Sequence, residues 1–323
     1  MEKIKSVLGK IYNKKINFFD LCIVLIISSY ILITLGEIVG RLGLILPMRS
    51  LIISDETGFF SIFFMYASFI GIWIVVLLWC RISKKSRPIL SVLWTKPRGN
   101  NIKMLLLGLL IGFGTNMLCA SSALIHKDIH IYYDSFHPVK LLVLLIAVFV
   151  QSSAEELLCR GFLYQRLRRT FRHPAVAIIV SSAFFGILHI FNKGVTALAI
   201  VDIIVTGVFF AFMVYYMDSI WCAFGVHTAW NYTQNIILGL PNSGNVTPFS
   251  IFKLDAASAR DSLFYNVGFG VEGTYFSVAV LAIGALVVYL IYRKNKERDY
   301  DPWNLPAINA EALPENTAES TNE

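Results

Sequence analysis

The stretch VKLLVLLIAVFVQSSAEELLCRGF, residues 139–162, joins a long apolar run to two adjacent glutamates and an arginine. An apolar run of about twenty residues spans the roughly 30 Å hydrocarbon layer as a helix. Charges inside such a run are costly and mark sites of structure or function. The whole chain shares this character. Its 323 residues are 56% hydrophobic and 15% charged, where a soluble domain carries about 25% charged residues. Mean hydropathy is +0.64. The class is therefore all-α, a polytopic membrane protein built as a bundle of helices whose backbone groups are satisfied within each segment.

Eight spans are predicted, at roughly 18–38, 58–80, 104–125, 141–163, 175–193, 195–217, 219–239 and 273–292. Arginine and lysine set the expected orientation. Lys3, Lys5, Lys10, Lys14 and Lys15 precede the first span, and Arg81, Lys84, Lys85, Arg87, Lys96, Arg98 and Lys103 mark the second connection. Arg166, Arg168, Arg169 and Arg172 mark the fourth, and Arg293, Lys294, Lys296 and Arg298 follow the last span. The odd-numbered connections are sparse in basic residues. Both termini are expected in the cytosol, and the basic loops suit a cytosol-facing substrate entrance. The net charge of +7 follows from this bias and from anionic lipid headgroups, with no nucleic-acid partner implied. Residues 1–298 are expected to form one integral membrane domain, with 240–272 as the longest external loop and 299–323 as a polar, disordered tail. Ile, Lys and Asn content suits a low-GC bacterium and hence a bacterial plasma membrane. Cys22, Cys80, Cys119, Cys159 and Cys222 form no CxxC pair and read as small packing residues.

The ionisable residues within the spans are few. Glu156 and Arg160 are four apart with the acid first, the favourable order for a pair on one helix, and Glu37 and Arg41 repeat this spacing. Both pairs read as self-neutralising. Glu155 is rotated by about 100° from Glu156 and has no basic residue on its own face, only Gln151 four before and Cys159 four after. Burial without a counter-charge suits a carboxyl group for acid–base work. Phe185 and His189 are four apart, as are His227 and Asn231. The latter two are placed to donate hydrogen bonds to one oxygen. Glu155 and Asn231 fall near mid-span, whereas His189 falls about a turn or more toward the outer side. Asp202 reads as hydrogen-bonded to a neighbouring helix, with a part in a cavity left open.

Taken together, Glu155-Glu156-x-x-x-Arg160, Phe185-x-x-x-His189 and His227-x-x-x-Asn231 resemble the CAAX-processing and bacteriocin-processing (CPBP) family. That family includes the type II CAAX prenyl endopeptidases, described as glutamate intramembrane proteases. The resemblance covers roughly 140–240; residues 1–100 and 240–323 carry none. It implies an eight-helix bundle with a polar cavity inside the membrane, and an endopeptidase acting on a membrane-associated protein or peptide, a C-terminally processed one included. Glu155 and His189 would activate a water, and His227 and Asn231 would stabilise the oxyanion. Glu156 and Arg160 would support the fourth helix. Zinc held by Glu155, His189 and His227 is the alternative to metal-independent water activation, which is favoured because no HExxH motif is present. Ser152, Ser153 and Cys159 have no histidine on the same helix to act as base. Two other functions remain: a non-catalytic scaffold or bacteriocin-immunity-type protein, and a proton-coupled transporter.

Overall fold

The computed structural model describes residues 11–12, 18–94 and 99–294. The predicted tail, 299–323, and the basic residues Lys3, Lys5, Lys10, Lys14, Lys15, Lys96, Arg98, Lys296 and Arg298 lie outside the described residues. Each predicted span overlaps one helix: α1 Cys22–Ile45, α2 Phe59–Ile82, α3 Ile102–Ile125, α4 Pro138–Thr170, α5 Pro174–Ile187 and α6 Ala197–Tyr216. α7 runs over Ile220–Asn231 and continues as the π-helical stretch Tyr232–Ile237, and α8 is Tyr275–Tyr292. A helix Arg49–Ser54 lies between α1 and α2.

Among the described residues, six helices are long and apolar enough to cross a membrane: α1, α2, α3, α4, α6 and α8. The expected eight crossings included α5 and α7. α5 has 14 residues, about 21 Å at 1.5 Å per residue, which is short of the hydrocarbon layer. α7 loses apolar character to His227, Thr228, Asn231, Thr233, Gln234 and Asn235, all buried among its neighbours.

Helix starts follow local sequence. Asn101, Thr196, Ser219 and Thr274 each accept a backbone N–H from the first turn of α3, α6, α7 and α8, which satisfies an otherwise orphan donor. Proline opens α4 and α5, where its missing N–H costs nothing. Small residues set the closest crossings. Gly36 and Gly40 of α1 meet Gly71 of α2, and Gly108 and Gly112 of α3 lie against α7 at Cys222, Val226 and Gly225. Any Cβ there would strike backbone, as at other small-xxx-small membrane crossings.

The connections gather at two ends. At one, Arg166 donates to Ser86 Oγ and Asp20 Oδ1, Arg169 to the Lys85 carbonyl, and Trp221 to the Leu93 carbonyl. This is the basic end. At the other, a two-stranded antiparallel ribbon pairs β1 (Ile131–Tyr133) with β2 (Phe252–Leu254). Buried Asp128 accepts from Arg260 and Ser262 there, and Asn192 donates to the Ser243 carbonyl. The predicted external loop 240–272 is thus a folded cap.

Candidate active site

Among the described residues three helices switch to π geometry beside their polar residues. α1 does so at Arg41–Ile45, α4 at Leu157–Leu163 just after Glu156, and α7 at Tyr232–Ile237 just after Asn231. Such bulges recur at functional sites because they re-aim side chains. Between these helices, α5, α6 and the cap lies a cavity of about 570 Å³. Glu155, His189, His227 and Asn231 all line it, as do Gln151, Asp202 and Glu272. The lining reaches the surface at Phe191, which is 91% exposed, and at exposed Asn245.

Glu155 and Glu156 point apart, as their rotation requires. Glu155 Oε1 accepts from Gln151 Nε2 at 2.7 Å, one turn back on α4. Its Oε2 faces His227 Nε2 of α7 at 3.7 Å. Glu155 therefore lacks a basic partner on its own helix but has a histidine across the helix interface. Glu156 accepts from Arg160 Nη1 at 3.0 Å and from His227 Nδ1 at 3.1 Å on the same oxygen. A carboxylate only accepts, so the proton sits on His227 Nδ1 and Nε2 is the atom turned toward Glu155. Arg160 is wholly buried. It donates to the Gly207 carbonyl of α6 at 2.8 Å and lies over the rings of Phe185 and Phe210 at 4.8 and 5.4 Å. The same two rings pack on His227, Phe210 stacked and Phe185 edge-on.

Asn231 lies one turn beyond His227 on α7. Its Nδ2 donates to Gln151 Oε1 at 3.1 Å and to Ser152 Oγ at 3.3 Å, while its Oδ1 accepts from Asn242 of the cap at 3.2 Å. The amide and the imidazole share a face of α7, and each is held by its own partners.

His189 lies beyond the end of α5, which stops at Ile187, in a turn closed by its own N–H to the Gly186 carbonyl. Its Nδ1 bonds the Phe185 carbonyl at 2.8 Å, and its ring packs edge-on against Phe185. The predicted fifth span, 175–193, ran past this stop, which explains the depth offset seen in sequence. Among the described residues His189 makes no hydrogen bond or ion pair to Glu155.

Glu37 and Arg41 form no ion pair within 4.0 Å, contrary to the spacing argument. Arg41 is exposed, Glu37 is half-buried, and both line the cavity. Solvent screens a pair in that setting, and holding two long side chains together gains little. Asp202 does bind a neighbouring element as expected. It accepts from the Gly273 N–H and from Ser277 Oγ at the start of α8, and it also lines the cavity.

Sequence reading passed over Glu272, one position before the predicted eighth span. It is buried and accepts from Trp230 Nε1, the Ser243 N–H and Ser243 Oγ at 2.7–2.9 Å. Burial pushes its carboxyl above the usual range, and the Ser243 and Trp230 hydrogen bonds and nearby His189 pull it back. A buried acid with several donors, joined through Asn242 to Asn231, extends the polar network into the cap. Its sequence signal was an acidic residue in a glycine-rich loop, which carries little information.

Among the described residues no three His, Cys, Asp or Glu side chains are grouped as a metal site, so Glu155, His189 and His227 do not fit as a three-ligand set. The exposed lining residues Phe191 and Asn245 lie at the end opposite the basic connections, and among the described residues none of 81–94, 99–103 or 164–173 lines the cavity. The helix directions place Glu155 and His227 near mid-helix and the exposed lining residues beside the cap, away from the basic loops that were expected to flank the substrate entrance.

Comparison with curated proteins and with solved structures gives no match. Residues 137–233 match the profile of a family of membrane proteases, described as type II CAAX prenyl endopeptidase Rce1-like. The matched segment contains Glu155, Glu156, Arg160, His189, His227 and Asn231, the residues on which the sequence resemblance rests. Over this segment, though not over the rest of its 323 residues, the chain is similar to the Rce1-like family.

Proposed function

We propose that the protein is an intramembrane endopeptidase hydrolysing a peptide bond in a membrane-associated protein or peptide, with Glu155 as the base. The supporting observation is the facing of Glu155 Oε2 and His227 Nε2 across 3.7 Å within the cavity. That gap is too long for a direct hydrogen bond and suits a water touching both atoms. Both partners are fixed from behind: Glu155 by Gln151, and His227 by Glu156 and the rings of Phe185 and Phe210.

The water donates one proton toward Glu155 and the other toward His227 Nε2, which leaves a lone pair for the carbonyl carbon. As the new C–O bond forms, Glu155 takes the proton. The carbonyl oxygen becomes an oxyanion, and Asn231 donates to it in exchange for its longer bond to Ser152. Collapse of the intermediate breaks the C–N bond, and Glu155 returns the proton to the leaving amine. Burial strengthens each of these interactions over its value in water. His189 lines the outer part of the cavity. Its family-implied partnership with Glu155 would require a shift of the 188–192 turn. No step is routed through zinc.

The test is hydrolysis of an internally quenched peptide by purified protein in lipid nanodiscs. Glu155→Gln keeps the side-chain volume and an acceptor for Gln151 but removes the base. Activity falls by about 10²-fold or more with unchanged folding. Full activity in that variant overturns the proposal.

A further inference from the structure

We propose that the cavity opens on the extracytoplasmic face and takes a peptide stretch presented from that side; this rests on the endopeptidase reading for the chemistry, but not for the orientation. Two independent observations meet here. The first is charge. Arg81, Lys84, Lys85, Arg87, Arg166, Arg168, Arg169, Arg172, Arg293 and Lys294 collect at one end of the bundle, where Asp20 and Asp218 are the acids among the described residues. The connections at the other end, 46–58, 126–137, 188–196 and 238–274, carry Arg49, Lys127, Lys193, Lys253 and Arg260. Lys140, in the first turn of α4, lies at that end too, so the basic residues there are about half as many as at the first. All these connections are short enough for the arginine and lysine bias to set orientation, which puts the basic end in the cytosol.

The second is the direction of the cavity. α1, α5 and α7 run from the basic end toward the cap, and α2, α4 and α6 run back. Most of the lining residues fall in the middle or in the half nearer the cap: Glu37 late in α1, Tyr66 early in α2, Asp202 early in α6, with Phe210 of α6 reaching furthest toward the basic end. The mouth is completed by Asn192, Ser243 and Asn245 of the cap connections. Toward the basic end the way is closed by buried Arg160, Phe162 and Leu163 and by Arg166 with Asp20. A substrate reaches Glu155 past the cap or laterally, in the half of the membrane nearer the cap. Such a substrate is an exported peptide, or the outer juxtamembrane segment of a membrane protein, rather than a C-terminus modified in the cytosol.

Orientation is tested on the full chain in intact cells with a membrane-impermeant maleimide. Val246, 66% exposed beside the mouth, and Lys84 at the basic end are replaced by cysteine in separate variants. The native cysteines are buried except for half-buried Cys22, and the parent chain sets the background. Val246→Cys is expected to label in intact cells about tenfold above background, and Lys84→Cys only after permeabilisation. Labelling in the reverse pattern, or equally at both sites, overturns the proposal. A second measurement supplies a quenched peptide that does not cross membranes to right-side-out and inside-out vesicles. Cleavage by right-side-out vesicles, lost in Glu155→Gln, supports it; cleavage by inside-out vesicles alone overturns it. Failure of detergent-solubilised protein to cleave any peptide counts against the endopeptidase reading, and the labelling result still decides the orientation.

Discussion

Glu156 and Arg160 should be strongly coupled, and the coupling can be measured. Both side chains are wholly buried and 3.0 Å apart. The pair ties α4 to α6 through the Gly207 carbonyl and to α7 through His227, and it carries the Phe185 and Phe210 rings on the guanidinium. Glu156→Ala leaves a buried cation without its counter-charge, at a cost of about 3–5 kcal/mol, and strips the acceptor from His227 Nδ1, about 1–3 kcal/mol more. Arg160→Ala leaves a buried anion and forfeits the ring contacts, again about 3–5 kcal/mol. The double replacement Glu156→Leu with Arg160→Met removes both charges at similar volume. Its cost should fall several kcal/mol short of the summed single costs, because an apolar pair replaces a buried ion pair almost neutrally. Among the described residues Glu156 Oε2 and Arg160 Nε have no hydrogen-bond partner, which further lowers what the intact pair contributes. The assay is reversible unfolding in mixed micelles, with all three variants on one denaturant axis. Additivity within about 0.5 kcal/mol would refute the reasoning, since it would mean that each charge is solvated independently of the other.

The histidines should separate kinetically: His227→Gln lowers kcat about 10²-fold or more, while His189→Gln acts mainly on KM. The reverse ranking in steady-state assays would restore His189 as the partner of Glu155. Glu272→Ala leaves Trp230 Nε1 and the Ser243 N–H without their acceptor, about 1–3 kcal/mol each. Hydrogen exchange across 240–246 should then rise well before global unfolding, and unchanged protection there would show that the cap does not depend on this carboxylate. At Asp128, burial pushes the carboxyl up, but hydrogen bonds from Ser262, His126 and Arg260 outweigh it and hold the group below its ordinary value. A lowered carboxyl stabilises the fold above its unfolded value of about 3.9 and loses that contribution as pH falls through the folded value. The contact between 126–128 and 260–262 should therefore hold from neutral pH to about pH 5 and open only in stronger acid, whereas Asp128→Asn opens it at neutral pH. Loss of exchange protection between pH 7 and 5 in the parent chain would contradict this.

Much of the architecture was legible in the sequence because lipid is an undemanding solvent to read. Long apolar runs must become helices there, and charges inside them stand out singly. This is why the six membrane-length helices among the described residues, the Glu156–Arg160 pair and the facing of His227 and Asn231 along α7 could be anticipated from spacing. Spacing within one helix says nothing about what lies across an interface. His227 bridging Glu155 and Glu156, Gln151 behind Glu155, and Asn242 reaching Asn231 are tertiary facts. The true ends of helices are equally hidden. α5 stops at Ile187 and turns back through its own carbonyls, so His189 sits in a turn that periodicity assigned to a span. Glu272 was invisible for a third reason: loop residues have no periodic signal, and only the packing of the cap onto α7 brings this acid to the cavity. Sequence alone determined the helical membrane class and the polar residues inside it, because both follow from one-dimensional hydropathy. The tertiary structure alone decided which of those residues meet, which pair fails to form, and toward which end the cavity opens, because these depend on how the helices cross and where they end.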